Sequence, residues 1–581
     1  MQFARRQTRS FDPNNVTILG INNNEDASAA LIRNGVLITA VQEERFSRKK
    51  LQKTWPQMSI DYVLGSNGLA ISDVDIIAYG VAGEFDPYCV IRSYVARLDA
   101  ENDDRAVTSI RRRMESESDI DQHAVSEFEE FLDTNQFRNH IYRLSHHECH
   151  GLGAFAYSPF RDALIITSDG RGDFESLTIT ERSGGTSRLR HRELTVDSIG
   201  YFYSMVTVLL GYKAYRHEGK VTGLAAHGDP EKCMPLMRKM IDFENGRVRS
   251  KCGDFYNPSM DELGDLSAEV KAEFGKYSKE DIAAAAQKHL EYIVCGVISR
   301  YLDPSRSQNI CLSGGTFGNV LLNQKIAQLD GVKQVYVIPF MGDGGQSACA
   351  AGAAYLELFG EKPQLKSLFL GPEVCEEQSL DDCLTELNAQ NLQCVDLDDI
   401  VPAVVEQLSK NNVVAMVKGR MEFGPRALCN RSIVYHAKDQ TMNEWLNDRL
   451  NRTEFMPFAP ITAANLAKKC YPAWSSSDPN SPNMTITFDC SEEMRSKCPA
   501  AVHIDGTARP QVISPDQDDV MYRILNAWYE VTGEPSLVNT SYNRHEEPIV
   551  CNIKEALSPL IDGIVEAVFV DGRYMVTRNN S

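Results

Sequence analysis

Two segments of this chain are written to the same plan. Residues 16–40 read as a β-run, VTILGI, then a polar turn, NNNEDAS, then a second β-run, AALIRNGVLITA. Residues 163–182 repeat it with ALIITS, DGRGDFES and LTITER. Aliphatic and β-branched runs bounded by Asp, Asn, Gly and Ser are the composition of strand–turn–strand units. Any α/β protein has several hairpins, so the weight of this pair rests on what lies between and after them.

The chain has 581 residues, which at roughly 100–200 residues per domain suggests two to four domains. Residues 363–376 lose periodicity, so we place the boundary there and expect domains at 1–365 and 366–581. Residues 94–137, rich in Asp, Glu and Arg, have helical apolar spacing and are expected to form a solvated insertion without chemistry. No apolar run approaches the ~18 residues that cross a bilayer. Arg5, Arg6 and Arg9 are not followed by an apolar stretch, so we expect no signal peptide and a cytoplasmic location. The 15 Cys have no framework spacing and read as reduced thiols. A formal charge of −20 argues against a nucleic-acid surface and permits a cationic partner.

Three constellations carry chemistry. The first is His146-His147-Glu148-Cys149-His150, where His146 and His150 share one face of a helix. Lone His-x-x-x-His matches are frequent, but two aspartates add to this one. Asp169 follows the strand ALIITS, and Asp343 lies in PFMGDGGQS after the strand QVYVI. Aspartates at the carboxyl ends of such strands point into the crevice of a nucleotide-binding α/β fold. Two His with one or two Asp suit iron, manganese or zinc. The following GLGAFA imitates a dinucleotide fingerprint but has no strand before it.

The second constellation is glycine-rich. CLSGGTFGNVLLN places Gly314 and Gly315 in a turn feeding a helix that bears Asn319 and Asn323. Gly342, Gly344 and Gly345 form a second turn, and EGKVTGLAAHG adds Lys220 and Gly223. Backbone N–H groups at such turns attract phosphates, and we take these residues as nucleotide-binding. The third is a run of arginines. Arg420, Arg426 and Arg431 flank a Gly-Pro turn, followed by Arg452, Arg509 and Arg544. Arg's planar fork suits phosphate and carboxylate oxygens, so an oxyanion pocket is expected.

Together, ILGINNNEDASAALIRNG, EERFSRKK, SHHECH, SDGRGD, LSGGTFGNVLLN, GRMEFGPRALCNRSI, RTEFMPFAP, HIDGTARPQ and NTSYNRHEEPIV stand in the order seen in O-carbamoyltransferases. The chain resembles the nodulation-factor, tobramycin, cephamycin and ansamycin carbamoyltransferases from about residue 16 to residue 575. The resemblance implies an α/β protein of two parts. The N-terminal part would be an actin-like ATPase domain similar to the tRNA-threonylcarbamoylation ATPase, whose paired hairpin turns hold nucleotide phosphates. The C-terminal part would be similar to the domain that makes threonylcarbamoyl-adenylate. It also implies ATP with Mg2+, carbamoyl phosphate as substrate, and a carbamoyl-adenylate intermediate. A bound metal, often iron, would have His146, His150, Asp169 and Asp343 as ligands. Carbamoyl phosphate would meet Arg426, Arg452, Arg509 and Asn539, with Lys418 nearby.

One departure stands out. The family's first turn usually reads His-Asp-x-Ser-Ala with an Asp two before the His; here Glu25 replaces the His and Asn23 the Asp, while Asp26 is kept, and the resemblance implies that Asn23, Glu25 and Asp26 are catalytic residues at the transfer site. Glu25 offers either a general base raised by burial or a counter-charge for a cationic acceptor. The expected partner is a small-molecule hydroxyl acceptor, with neither nucleic acid nor membrane, in a monomer or homodimer. An actin-like small-molecule kinase and a degenerate nucleotide-binding partner protein are the rival readings.

Overall fold

The computed structural model describes residues 11–81, 104–251, 255–256, 266–303, 305–387, 391–449 and 458–579. The two look-alike segments each open a five-stranded sheet. The first contains β1 (Thr17–Asn22), β2 (Ser28–Arg33), β3 (Val36–Gln42), β4 (Ile76–Tyr79) and β5 (His140–Arg143) in the order β3-β2-β1-β4-β5. The second contains β6 (Ala163–Gly172), β7 (Glu175–Ser183) and β8 (Thr186–Leu194). A small antiparallel pair, β9 (Ile241–Glu244) and β10 (Arg247–Ser250), precedes its last strands, β11 (Gln308–Ser313) and β12 (Val332–Val337). Its order, β12-β11-β6-β7-β8, is the first sheet's plan again.

In each sheet the leading strand pairs antiparallel with its hairpin partner and parallel with a crossover strand. This duplication is the actin-like architecture. β1 is buried along its whole length, as a strand covered on both faces must be, and so it reads as a continuous apolar run. Helix His146–Tyr157 and helix Gln346–Phe359 pack beside it. Their crossing needs small residues: a Cβ on Gly153 would lie 2.4 Å from Cys349 Cβ. Lys362 caps the first of these helices, donating to Phe155 O at 2.5 Å and Ser158 O at 2.9 Å.

The C-terminal half is built on an eight-stranded mixed sheet. Its central strands, Val414–Val417 and Arg431–His436, are fully buried, with a separate apolar core on each face. Polar side chains stitch the halves together. Asn323 donates to Thr485 O at 2.8 Å, and Arg48 donates to Pro548 O at 2.8 Å and Ile549 O at 2.9 Å.

The solvated insertion expected at 94–137 is corrected over residues 104–137, the rest of it lying outside the described residues. Helix Asp104–Thr134 turns one face inward, burying Arg113, Glu117 and Phe128 completely and Asp121 nearly so. Phe128 stacks on Tyr79 at 4.1 Å between ring centroids. Among the described residues, no helix is long and apolar enough to cross a membrane, and the cysteines are unpaired.

Candidate functional site

The duplicated fold brings the turns after β1 and β6 face to face, and helix His146–Tyr157 closes the gap. His150 Nε2 lies 3.2 Å from Asp343 Oδ1 and 3.5 Å from Asp169 Oδ2, and His146 Nε2 lies 3.5 Å from the same Asp343 oxygen. The four donor atoms all fall within 4.8 Å of one another. Burial works against charge on His150, but its bonds to Asp169 and Asp343 outweigh that and push it up to about 9. His146 goes the other way, held well below the ordinary imidazole value by burial and by His150 and His147. Its Nε2 is buried without a hydrogen-bond partner. An orphaned imidazole nitrogen beside two carboxylates fits a divalent metal, and two nitrogens with two oxygens suit Fe2+, Mn2+ or Zn2+.

The surroundings hold these groups by close contact. His150 Nδ1 meets Ser313 Oγ at 3.0 Å, the kind of outer partner that orients a ligating imidazole. The His146 backbone N–H donates to Asp173 Oδ2 at 2.6 Å. Gly172 must lack a side chain, since a Cβ there would lie 2.1 Å from the His146 ring.

The turn after β1 lies against this group. Asn22 Nδ2 donates to Asp343 O at 2.9 Å. Asp26, half-buried at φ 55, accepts from Gln42. Burial, then the nearby Glu44 carboxylate, pushes Asp26 up to about 8 against the pull of Arg45 and Gln42. Two expectations for this turn are corrected. Glu25 is exposed at 48% rather than buried, and it pairs with Lys53 at 3.2 Å, so its charge already has a partner. Asn23 is buried and supports structure: its Nδ2 donates to Ala124 O and Glu127 Oε2, both at 2.9 Å, and its Oδ1 accepts from Tyr79.

The glycine-rich loop does mixed work. Gly315 N donates to Asp169 Oδ2 at 2.7 Å, and Gly314 adopts φ 107. Asn319 caps its helix at Leu322 N and donates to Gln287 at 2.7 Å. Asn323 is fully buried between Phe317 O and Thr485 O. Both asparagines are therefore internal clips rather than phosphate ligands. Gly344 packs on Asp26, and Gly342 has open space around it.

A second site lies between the halves. A cavity of about 260 Å³ is lined by Lys50, Arg216, Gly219 and Lys220 from the N-terminal half and by Arg426, Arg509 and Asn539 from the C-terminal half. Gly223 is one turn along the helix that carries Lys220. Arg426 Nη2 reaches Gly318 O at 3.3 Å, its Nε is buried without a partner, and burial pushes it down to about 10. Asn539 donates to Ala427 O and Gln511 Oε1, leaving its buried Oδ1 without a partner.

Other members of the expected pocket do not line this cavity. Arg431 is fully buried and donates to the carbonyls of Cys551, Lys418, Asn430, Pro372 and Gly419. Arg420 donates to Gly371, Leu370 and Ile38 carbonyls, tying the halves together. Arg544 pairs with Asp562, and Lys418 pairs with Asp518 at 2.5 Å. Arg452 lies outside the described residues.

Residues 17–355 match the family described as "Carbamoyltransferase N-terminus", and residues 405–578 match "Carbamoyltransferase C-terminus". The chain belongs to the carbamoyltransferase family. It is 29% identical to the nodulation protein NolNO of Sinorhizobium fredii, covering 96% of this chain and 79% of that one. It is equally 29% identical to an uncharacterised protein of Methanocaldococcus jannaschii, covering 97% and 99% of the two chains. A crystal structure of HypF in a phosphate- and nucleotide-bound form aligns with a TM-score of 0.32 at 13% identity, over 60% of this chain and 47% of that one.

In this carbamoyltransferase, sequence reasoning missed Lys50, Arg216 and the pair His545 and Glu546, which also line the cavity. Glu546 accepts from Lys213 at 3.0 Å, Arg216 at 2.9 Å and His217 at 2.9 Å across the interface. The one available signal was basic residues beside recognised motifs: Lys50 ends EERFSRKK and Arg216 precedes EGK.

Proposed function

We propose that this carbamoyltransferase works in two steps, one in each half. In the C-terminal half, carbamoyl phosphate, ATP and water give carbamoyl-adenylate, pyrophosphate and phosphate. In the N-terminal half, the hydroxyl oxygen of a small-molecule acceptor attacks the carbamoyl carbon. The bond from that carbon to the AMP oxygen breaks, AMP leaves, and the hydroxyl proton passes to a base.

One observation carries this reading. The turn Gly315–Gly318 touches both sites, donating from Gly315 N to Asp169 and accepting at Gly318 O from Arg426. The cavity and the His/Asp cluster are thus neighbours across a single turn, and a labile mixed anhydride needs only a short protected passage. Arg426, Arg509 and Lys220 hold phosphate oxygens of a small dianion. Asn539 Oδ1 accepts from the carbamoyl NH2, which gives a buried acceptor its partner. Asp26, packed on Gly344 next to Asp343, takes the proton of the acceptor hydroxyl.

His146, His150, Asp169 and Asp343 would hold a divalent metal, whose chemistry when bound is polarisation of the carbamoyl carbonyl. The Glu25–Lys53 pair at the same turn carries no net charge, so it gives no preference for a cationic acceptor.

The test is acceptor-free. Purified protein receives ATP, Mg2+ and carbamoyl phosphate, and products are followed by mass. Pyrophosphate and phosphate released only when both substrates are present support the reading. No pyrophosphate from that mixture, with ATP turned into ADP only once a hydroxyl compound is added in place of carbamoyl phosphate, points to a kinase of the same fold.

A further inference from the structure

We propose that Asp121 is a positioning residue for the transfer site, acting through Arg171; this rests on the metal-site reading of His146, His150, Asp169 and Asp343 given above. Asp121 lies on helix Asp104–Thr134, outside the motifs that carry the chemistry. Arg113, Glu117 and Asp121 follow one another at four-residue intervals, so they form one stripe of the helix. Their exposures are 1%, 0% and 6%. Arg113 Nε lies 3.2 Å from Glu117 Oε1, and Thr195 Oγ1 joins the pair, donating to that oxygen at 2.6 Å. From the end of β6, Arg171 Nη1 donates to Asp121 Oδ1 at 3.0 Å.

Two guanidinium groups and two carboxylates cancel, which makes their burial tolerable. They are not arranged for stability. Glu117 Oε2 and Asp121 Oδ2 are sealed from water without hydrogen-bond partners, and a buried ion pair is often no more stable than an apolar replacement. Phe128, two turns further along the helix, shows that an apolar side chain packs well on this stripe.

What the Asp121–Arg171 pair does fix is the irregular end of β6, from Asp169, and the turn at Asp173 and Phe174 that follows it. Asp169 supplies one oxygen of the four-donor cluster. Asp173 anchors the first turn of the helix that bears His146 and His150. This turn is strained: Asp173 at φ 48 and Phe174 at φ 65 are consecutive non-glycine residues in the left-handed region. Such conformations persist only where their surroundings impose them. The same helix accepts from Asn23 through Ala124 O and Glu127, so it also registers the turn carrying Asp26. One rod therefore sets the turns of both repeats against each other.

The experiment is a Mn2+ titration of the purified full-length protein, read by binding calorimetry and the Mn2+ paramagnetic resonance signal, with His150→Ala as the control that removes a donor. Asp121→Asn keeps shape and loses charge. It is expected to weaken Mn2+ binding about 10- to 100-fold, the range seen when partners behind a metal ligand are lost. Asp121→Glu recovers part of that loss. Should Asp121→Asn fail to fold, Arg171→Gln removes the same contact from the other side and is read identically. A folded variant with wild-type Mn2+ affinity and only a lowered melting temperature overturns the proposal, because a purely structural contact behaves that way. Wild-type protein whose Mn2+ binding is absent, or unaffected by His150→Ala, overturns the metal reading itself, and this inference with it.

Discussion

The His/Asp cluster and the interdomain cavity were both expected from side-chain type, yet the structure treats the two sets of residues differently. His146, His150, Asp169 and Asp343 converge within 4.8 Å. Of the arginines expected at the oxyanion pocket, Arg426 and Arg509 line the cavity, while Arg420, Arg431 and Arg544 are engaged elsewhere. The difference is one of reach. A histidine on a helix or an aspartate at a strand end has a short side chain, so the backbone decides where its donor goes. An arginine has a long stem and five donors, and a nearby carbonyl satisfies it as well as a substrate does. Spacing in sequence therefore locates short side chains better than long ones.

That contrast can be broken or sharpened by substitution. The largest effect is expected at an arginine that serves structure. Arg431→Leu removes the guanidinium that five carbonyls share, leaving the buried Cys551 and Pro372 carbonyls without this donor, and should cost about 4 kcal/mol, seen as a lowered urea midpoint. An unchanged midpoint would return Arg431 to the substrate side. Next comes Arg426→Ala. It should fold normally but lower carbamoyl-phosphate-dependent pyrophosphate release on the order of 100-fold, the scale of a lost charged contact to phosphate.

A smaller effect depends on pH. Glu546 takes on some burial cost, but bonds to Lys213, His217 and Arg216 pull it from 4.5 down to about 2. A carboxylate lowered on folding contributes stability that is full above pH 4.5 and is lost as pH falls towards 2. Glu546→Gln should therefore melt below wild type at pH 7, and the gap should close as pH drops below 4.5. A gap independent of pH would mean that packing, not charge, joins the halves there. The smallest effect is expected at Arg544→Ala. Its pair with Asp562 is at the surface, so stability should move by no more than about 0.5 kcal/mol and pyrophosphate release should be nearly unchanged.

The duplicated fold was legible because each hairpin is local: continuous apolar runs and turn chemistry sit within about 25 residues, and two copies reinforce each other. Glu25 and Asn23 were less legible. Both occupy the expected turn, but whether a side chain faces the site or the packing behind it depends on a partner far away in sequence. For Asn23 that partner is Ala124. The inward stripe of helix Asp104–Thr134 was hidden for the same reason, since Arg113, Glu117 and Asp121 look like a solvated face until Arg171 and Thr195 are placed against them. The cavity was legible only in part, because Lys50, Arg216, Gly219 and Lys220 reach it from the other half of the chain.

The central claim is that this carbamoyltransferase divides its chemistry between the two halves. The most direct test measures carbamoyl-phosphate-dependent pyrophosphate release, without acceptor, for His150→Ala and Arg426→Ala side by side. The account predicts near wild-type release for His150→Ala and near-complete loss for Arg426→Ala. Equal loss in both variants would contradict it, since the two sites would then act as one.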